Sequence, residues 1–231
     1  MTSCEHHSNT NEMHKKCISL VPIFNHLAPE EMNEIVKTTR TMNYARNQEI
    51  LGEGNNTARL YIVHQGSVKM YRLSESGKEQ LIRILKPGDF MGELSLFSDT
   101  ITDYYAVAME NSQLCTMQRS DLQAFLMKYP AISFKIIAEF SRRLDHTEKQ
   151  LSSLTSEDTE KRIAAYLVQL ADEHKSNAIV LPMTRKDLAS YLGTTPETMS
   201  RKLAEFEQSG LIKQMVRRKI KILDINSMKS I

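Results

Sequence analysis

Residues 183–201 read Met183-Thr184-Arg185-Lys186-Asp187-Leu188-Ala189-Ser190-Tyr191-Leu192-Gly193-Thr194-Thr195-Pro196-Glu197-Thr198-Met199-Ser200-Arg201, and hold two helix starts close together. Thr184 followed by Asp187 is an N-cap signal, because hydroxyl and carboxylate can each satisfy an amide that the first helical turn leaves unpaired. That helix is predicted to run to about Leu192 and to stop at Gly193. Thr195 and Pro196 supply a second cap and a first-turn proline, and Gly210 ends the second helix. Two helices joined by so tight a turn have helix-turn-helix proportions.

On the second helix Met199, Leu203 and Phe206 recur at steps of four and three, so they share one face and are predicted to pack inward. The opposite face offers Glu197, Ser200 and Arg201 near its start. Arginine can donate two bonds to guanine, glutamate can accept from the amine of cytosine, and serine adapts to either, so this trio suits base edges in a major groove. Thr184, Arg185 and Thr195, at the two helix starts, are further predicted DNA contacts. Lys202, Arg217, Arg218 and Lys219, with Lys213 and Lys221, would neutralise phosphates, which strengthens binding without specifying sequence. Leu211–Met215 and Lys219–Leu223 read as two short strands around a basic turn, as in a wing. The charge agrees: residues 161–231 carry 13 Lys/Arg against 7 Asp/Glu, a net +6 that leaves −4 elsewhere, so the basic end is where a polyanion is expected.

Working upstream, Ser152–Asp158 is a polar break, and before it the period changes. Ile137, Phe140, Leu144, Thr147, Leu151 and Leu154 alternate steps of three and four, an a/d seam with one polar interruption. Ile137, Phe140, Leu144, Leu151 and Leu154 are the predicted dimerisation residues, and a twofold pair is the commonest way to bury such a seam. From Tyr44 to Gln118 short apolar runs such as Leu60–Val63 and Leu81–Leu85 are punctuated by Gly54, Gly66, Gly77, Gly88 and Gly92, the pattern of a small antiparallel barrel or roll. Pro29–Val36 is predicted to form a short helix ahead of it. The predicted organisation is therefore α+β: a Cys/His-bearing tail (1–20), a β-roll (21–130), a dimerisation helix (131–156) and a winged helix-turn-helix (157–231).

Of 231 residues, 41% are hydrophobic and 25% charged, the balance of an ordinary globular protein. No apolar run is long enough to span a bilayer and residues 1–10 are polar, so a cytoplasmic location with no membrane partner is expected. Three cysteines argue against a disulfide framework. The sequence holds no nucleophile with a neighbouring base, no phosphate-binding glycine loop before a helix and no paired histidines at helical spacing, so an enzyme is not expected.

The chain resembles the CRP/FNR-type regulators over nearly its whole length. The resemblance rests on Lys86-Pro87-Gly88-Asp89-Phe90-Met91-Gly92-Glu93-Leu94, on Glu160-Lys161-Arg162-Ile163-Ala164-Ala165-Tyr166-Leu167, and on the 183–201 stretch. It implies a cyclic-nucleotide-binding-like roll, a long dimerising helix and a winged helix, with RNA polymerase as a further partner of an activator. The spacing of Glu197, Ser200 and Arg201, with Pro196 where the cAMP-responsive branch has arginine, is similar to the FNR branch. The implied target is palindromic double-stranded DNA with TTGAT-like half-sites, bound by a homodimer. The turn Val216-Arg217-Arg218-Lys219 departs from the family in lacking its usual glycine.

Resemblance also frames the signal. Where cAMP-binding relatives carry an Arg-Ser pair for the phosphate, this chain has Asp103-Tyr104, and an acidic side chain would repel the ligand, so cAMP is not expected. Met109–Cys115 resembles the FNR segment bearing the fourth iron-sulfur ligand, which puts Cys115 at that position. The remaining cysteines are Cys4 and Cys17, interleaved with His6, His7 and His14. Open at this point are a Cys17/Cys115 dithiol switch similar to FNR-like proteins of Gram-positive bacteria, an iron-sulfur cluster completed by a non-cysteine ligand, zinc or copper capture by the tail, and no cofactor at all. Alternative functions are a small-molecule-responsive CRP-like regulator with structural cysteines, or a thiol- or metal-binding protein that acts without DNA.

Overall fold

A computed structural model describes residue 19 and residues 21–55, 58–97, 101–156, 158–216 and 218–231. Cys4, Cys17, His6, His7, His14 and Arg217 lie outside the described residues. The chain divides into two compact units: residues 1–73 with 82–144, and residues 74–81 with 145–231.

The first unit opens with α1 (Pro29–Thr38), which starts on a proline and keeps Glu30 and Glu31 in its first turn, where the helix dipole favours negative charge. The strands follow: β1 (Arg40–Tyr44), β2 (Glu49–Leu51), β3 (Arg59–Gln65), β4 (Val68–Leu73), β5 (Glu79–Leu85) and β6 (Phe90–Met91). A short helix α2 (Leu94–Phe97) precedes β7 (Tyr105–Ala108) and β8 (Ser112–Gln118). They form two antiparallel four-stranded sheets, ordered β1-β8-β3-β6 and β2-β7-β4-β5. Leu60, Ile62, Leu114 and Met117 illustrate how completely the apolar strand residues are covered, each at most 1% exposed. Gly92 stands at φ +86, and a Cβ there would lie 2.3 Å from the Arg59 carbonyl oxygen, so β6 can approach β3 only with a glycine at this position.

Two helices complete this side of the chain: α3 (Arg119–Lys128) and α4 (Ala131–Ser156). The first turns of α4 contribute Ile132 and Ile136 to a core shared with Val21, Ile23, Phe24, Ile35, Leu60, Ile62, Phe90, Cys115 and Met117. The division between the two units falls inside α4, between Leu144 and Asp145.

The second unit contains the rest of α4, then α5 (Thr159–His174), β9 (Ala178–Val180), α6 (Arg185–Tyr191), α7 (Pro196–Gln208), β10 (Ile212–Gln214), β11 (Lys219–Ile222) and α8 (Ile225–Lys229). The strands make one antiparallel sheet, β10-β11-β9. Alternation sets its buried face: Ile220 and Ile222 are 1% exposed while Lys219 and Lys221 point outward. The α+β class, roll and winged helix-turn-helix read from the sequence are what the structure has.

Candidate nucleic-acid interface

Thr184 caps α6 as its spacing predicts: its Oγ1 accepts from the Asp187 amide at 3.1 Å and donates to Asp187 Oδ2 at 2.7 Å. This local bond leaves Asp187 buried and satisfied. At the end of α6 the chain reverses through Gly193, at φ +63, where a Cβ would come within 2.6 Å of Leu154 Cδ2. The same turn is held by Arg162, a largely buried side chain whose Nε donates to the Leu192 carbonyl at 3.0 Å. Thr195 Oγ1 then accepts from the Thr198 amide at 3.2 Å, and Pro196 opens α7.

Met199, Leu203 and Phe206 are at most 2% exposed and carry α7 into the body of the unit. Glu197, Ser200 and Arg201 are thereby turned to solvent together. Arg201 is poised rather than committed, with its side chain 66% exposed and its nearest carboxylate, Glu205, 3.9 Å away. Glu197 is held below the usual carboxylate range by its own backbone amide and the Thr195 hydroxyl, so it is an acceptor at neutral pH. Arg185 is exposed at the start of α6, and Arg218 and Lys219 are exposed on the wing.

Lys202 departs from its predicted role. Its Nζ lies 2.6 Å from Glu160 and 2.7 Å from Glu205, and only 20% of the side chain is exposed. Two carboxylates satisfy this ammonium within the unit, so it braces α7 against α5 instead of offering its charge outward. Sequence reading also missed Gln214. Its Oε1 accepts from Arg185 Nη2 at 2.7 Å, its Nε2 donates to Glu207 Oε2 at 2.9 Å, and its amide donates to Glu207 Oε1 at 2.8 Å. It ties the wing to α6 and α7, and no local sequence signal marks a glutamine for that task.

On α4, Ile137, Leu144 and Leu151 are about 60% exposed, and Leu154 is 38% exposed where it meets Gly193. Phe134, 74% exposed, extends the stripe one step toward the N-terminus and could have been found at three residues before Ile137. Phe140 does not belong to it. Its ring packs against the roll's core, edge to face with Phe97 at 6.2 Å, because the a/d step at 140 coincides with the face that already carries Ile132 and Ile136 inward.

Inside the roll, Glu93 Oε1 accepts from Arg143 at 2.8 Å and from Arg83 at 3.3 Å, and the Arg143 guanidinium stacks over Phe90 at 4.2 Å. Tyr104 is buried nearby, with its phenol pushed up to about 12 by desolvation and then by the charge of Glu93. Asp103 pairs with Arg72. Cys115 is fully buried on β8, opposite Thr41 on β1 and Ile62 on β3. Among the described residues no three His, Cys, Asp or Glu side chains converge as a metal site. No helix among them is long and apolar enough to cross a membrane.

A roll followed by a capped helix pair with an exposed polar trio and a basic wing defines a DNA-binding transcriptional regulator. Residues 41–129 match the cyclic nucleotide-binding domain family and residues 161–231 the Crp-like helix-turn-helix domain family. The chain is 31% identical over 216 residues to the probable transcriptional regulator flp of Lacticaseibacillus casei, covering 94% of this chain and 98% of that one. It is 29% identical over 192 residues to the cyclic AMP receptor protein of Thermus thermophilus, covering 83% and 88%. The structure of FixK2 from Bradyrhizobium japonicum superposes with a TM-score of 0.72 at 24% identity, over 83% of this chain and 96% of that one. This chain belongs to the CRP/FNR family of transcriptional regulators; it is not an enzyme.

Proposed function

We propose that the chain works as a homodimer in the cytoplasm, that it reads palindromic DNA with TTGAT-like half-sites through Glu197, Ser200 and Arg201, and that its input comes through cysteines rather than cAMP. The observation that carries the DNA reading is the joint exposure of these three side chains on a helix whose opposite face is sealed. The apolar stripe Phe134, Ile137, Leu144 and Leu151 supports pairing, since a single chain leaves it in water. Arg185, Arg218 and Lys219, with Arg217 from the sequence, supply phosphate contacts. An activating complex would bring RNA polymerase to the same DNA.

Two features argue against cAMP. Tyr104 is buried where relatives place the phosphate-binding pair, and Glu93 is already engaged by Arg83 and Arg143. A four-thiolate iron-sulfur cluster does not fit one subunit with three cysteines, one of them sealed in the core. A Cys17–Cys115 disulfide is the better reading. Val21, four residues after Cys17, packs in the same core cluster as Cys115, and four residues of chain span up to about 14 Å. Forming that bond removes two protons and two electrons from the thiol pair and passes them to an oxygen-derived oxidant such as a peroxide, which is reduced to water. It would pull the N-terminal segment onto the core that also anchors α4.

Sedimentation, and fluorescence anisotropy on a TTGAT palindrome, before and after oxidation, with peptide mapping of the thiols, test the whole reading. The expected result is a dimer whose operator affinity changes with oxidation and whose change is lost in Cys17→Ser and Cys115→Ser. Tight cAMP binding by calorimetry, or operator binding indifferent to thiol state, would remove the corresponding part.

A further inference from the structure

The strands β10 and β11 pair Ile212 with Ile222, Lys213 with Lys221 and Gln214 with Ile220. Beyond that register Met215 donates its amide to the Lys219 carbonyl at 2.8 Å, and Lys219 donates to the Val216 carbonyl at 3.3 Å, so these bonds close the hairpin between the strands. Turns of this kind favour glycine or asparagine, particularly where φ is positive. This one instead has Arg218 at φ +64 and leads with Val216, 80% exposed, beside Met215, 48% exposed. Isolated exposed apolar residues are ordinary. Two together at the closed end of a hairpin, among exposed Lys213, Arg218, Lys219 and Lys221, are not what solubility or turn formation would select.

We propose that Met215 and Val216 form an apolar wedge that enters the minor groove flanking each half-site, so that the wing contributes to sequence preference outside the bases read by α7. The proposal rests on DNA reading by α7 and goes beyond it. Placement supports the wedge. Gln214 rivets β10 to Arg185 at the start of α6 and to Glu207 in the last turn of α7, so the wing is fixed to both helices of the reading pair. An element packed beside a helix that occupies the major groove lies over the adjoining phosphate ridge, and the minor groove is the next surface across that ridge. Val216 stands two residues past Gln214, where the hairpin closes. The surrounding cations suit the negative potential of that groove, and small apolar side chains can part a flexible base step there. An apolar protein partner would gain nothing from so dense a ring of like charge.

Operators with identical half-sites but flanks of either flexible A·T-rich steps or G·C-rich steps test this with the full-length dimer. Met215→Ser combined with Val216→Ser keeps every cation. It is expected to lose about 3- to 10-fold in affinity on the A·T-rich flank, under about twofold on the G·C-rich flank, and part of the DNA bend seen in permutation gels. The slope of log affinity against log salt should stay as in the wild type, because phosphate contacts are intact. Val216→Ile should retain the preference, and Val216→Thr, of the same shape but polar, should lose part of it. Equal binding and bending by the serine variant on both flanks would overturn the wedge. So would a variant that binds and bends DNA normally yet fails to activate transcription, since that result assigns the tip to a protein partner. Failure of the wild type on every operator would instead count against α7.

Discussion

Arg201→Ala is the sharpest test of how this regulator reads DNA. The side chain is two-thirds exposed and the carboxylate of Glu205 is 3.9 Å away, so its removal should change folding stability by less than about 0.5 kcal/mol. Binding should respond differently. A bidentate arginine–guanine contact contributes about 1–3 kcal/mol of discrimination, which is roughly 5- to 150-fold at one base pair. A symmetric dimer makes the contact twice, so replacing the guanine in both half-sites should cost the wild type the square of that factor and the variant almost nothing. Anisotropy titrations on the operator, on the two symmetric base substitutions and on random DNA, all at one salt concentration, measure this directly. If Arg201→Ala loses the same factor on random DNA as on the operator, the guanidinium is a phosphate contact and the assignment of base reading to it is wrong.

Leu144→Glu should yield monomers without operator binding, because it places charge in the exposed stripe, and sedimentation would reveal a surviving dimer. Phe140→Ala should instead lower the stability of the roll by about 1–2 kcal/mol in a chemical denaturation series, since its half-buried ring packs against that core. Lys202→Met should leave the salt slope of DNA binding unchanged to within about 0.3, whereas loss of a true phosphate contact lowers it by about 1. Tyr104 gives a pH signature. Its neutral form is favoured in the fold, so the stability it contributes is intact below the unfolded phenol value near pH 10 and is lost as pH rises through about 12. Denaturation between pH 10 and 12 should show Tyr104→Phe declining less steeply than the wild type, by up to about 1.4 kcal/mol per pH unit.

The reading helix was legible because its determinants are local. A cap bond spans three residues, a proline sets its own φ, and an apolar stripe repeats within one helix, so Thr184, Thr195, Pro196 and Met199-Leu203-Phe206 announce their roles without reference to the rest of the chain. The same locality explains why Glu197, Ser200 and Arg201 could be placed on the outer face. The roll was legible as a class from its spaced glycines, although β1 begins at Arg40, ahead of the predicted Tyr44, and α2, α3, α5 and α8 carried no reading of their own.

Partner choice was beyond the sequence. Whether a lysine serves DNA or two carboxylates depends on Glu160, forty-two positions away from Lys202, and nothing in the chain between them signals the approach. Whether Phe140 belongs to a seam or a core depends on which face of α4 meets the sheet carrying Leu60, Ile62 and Cys115. Gln214 became a crosslink only when Arg185 and Glu207 were brought to it. Sequence alone determined the elements and the outward trio, since backbone propensity and helical periodicity act over a few residues. Tertiary structure alone decided which charges are spent internally and which are left for DNA, because Coulombic and packing partners are selected by distance in space.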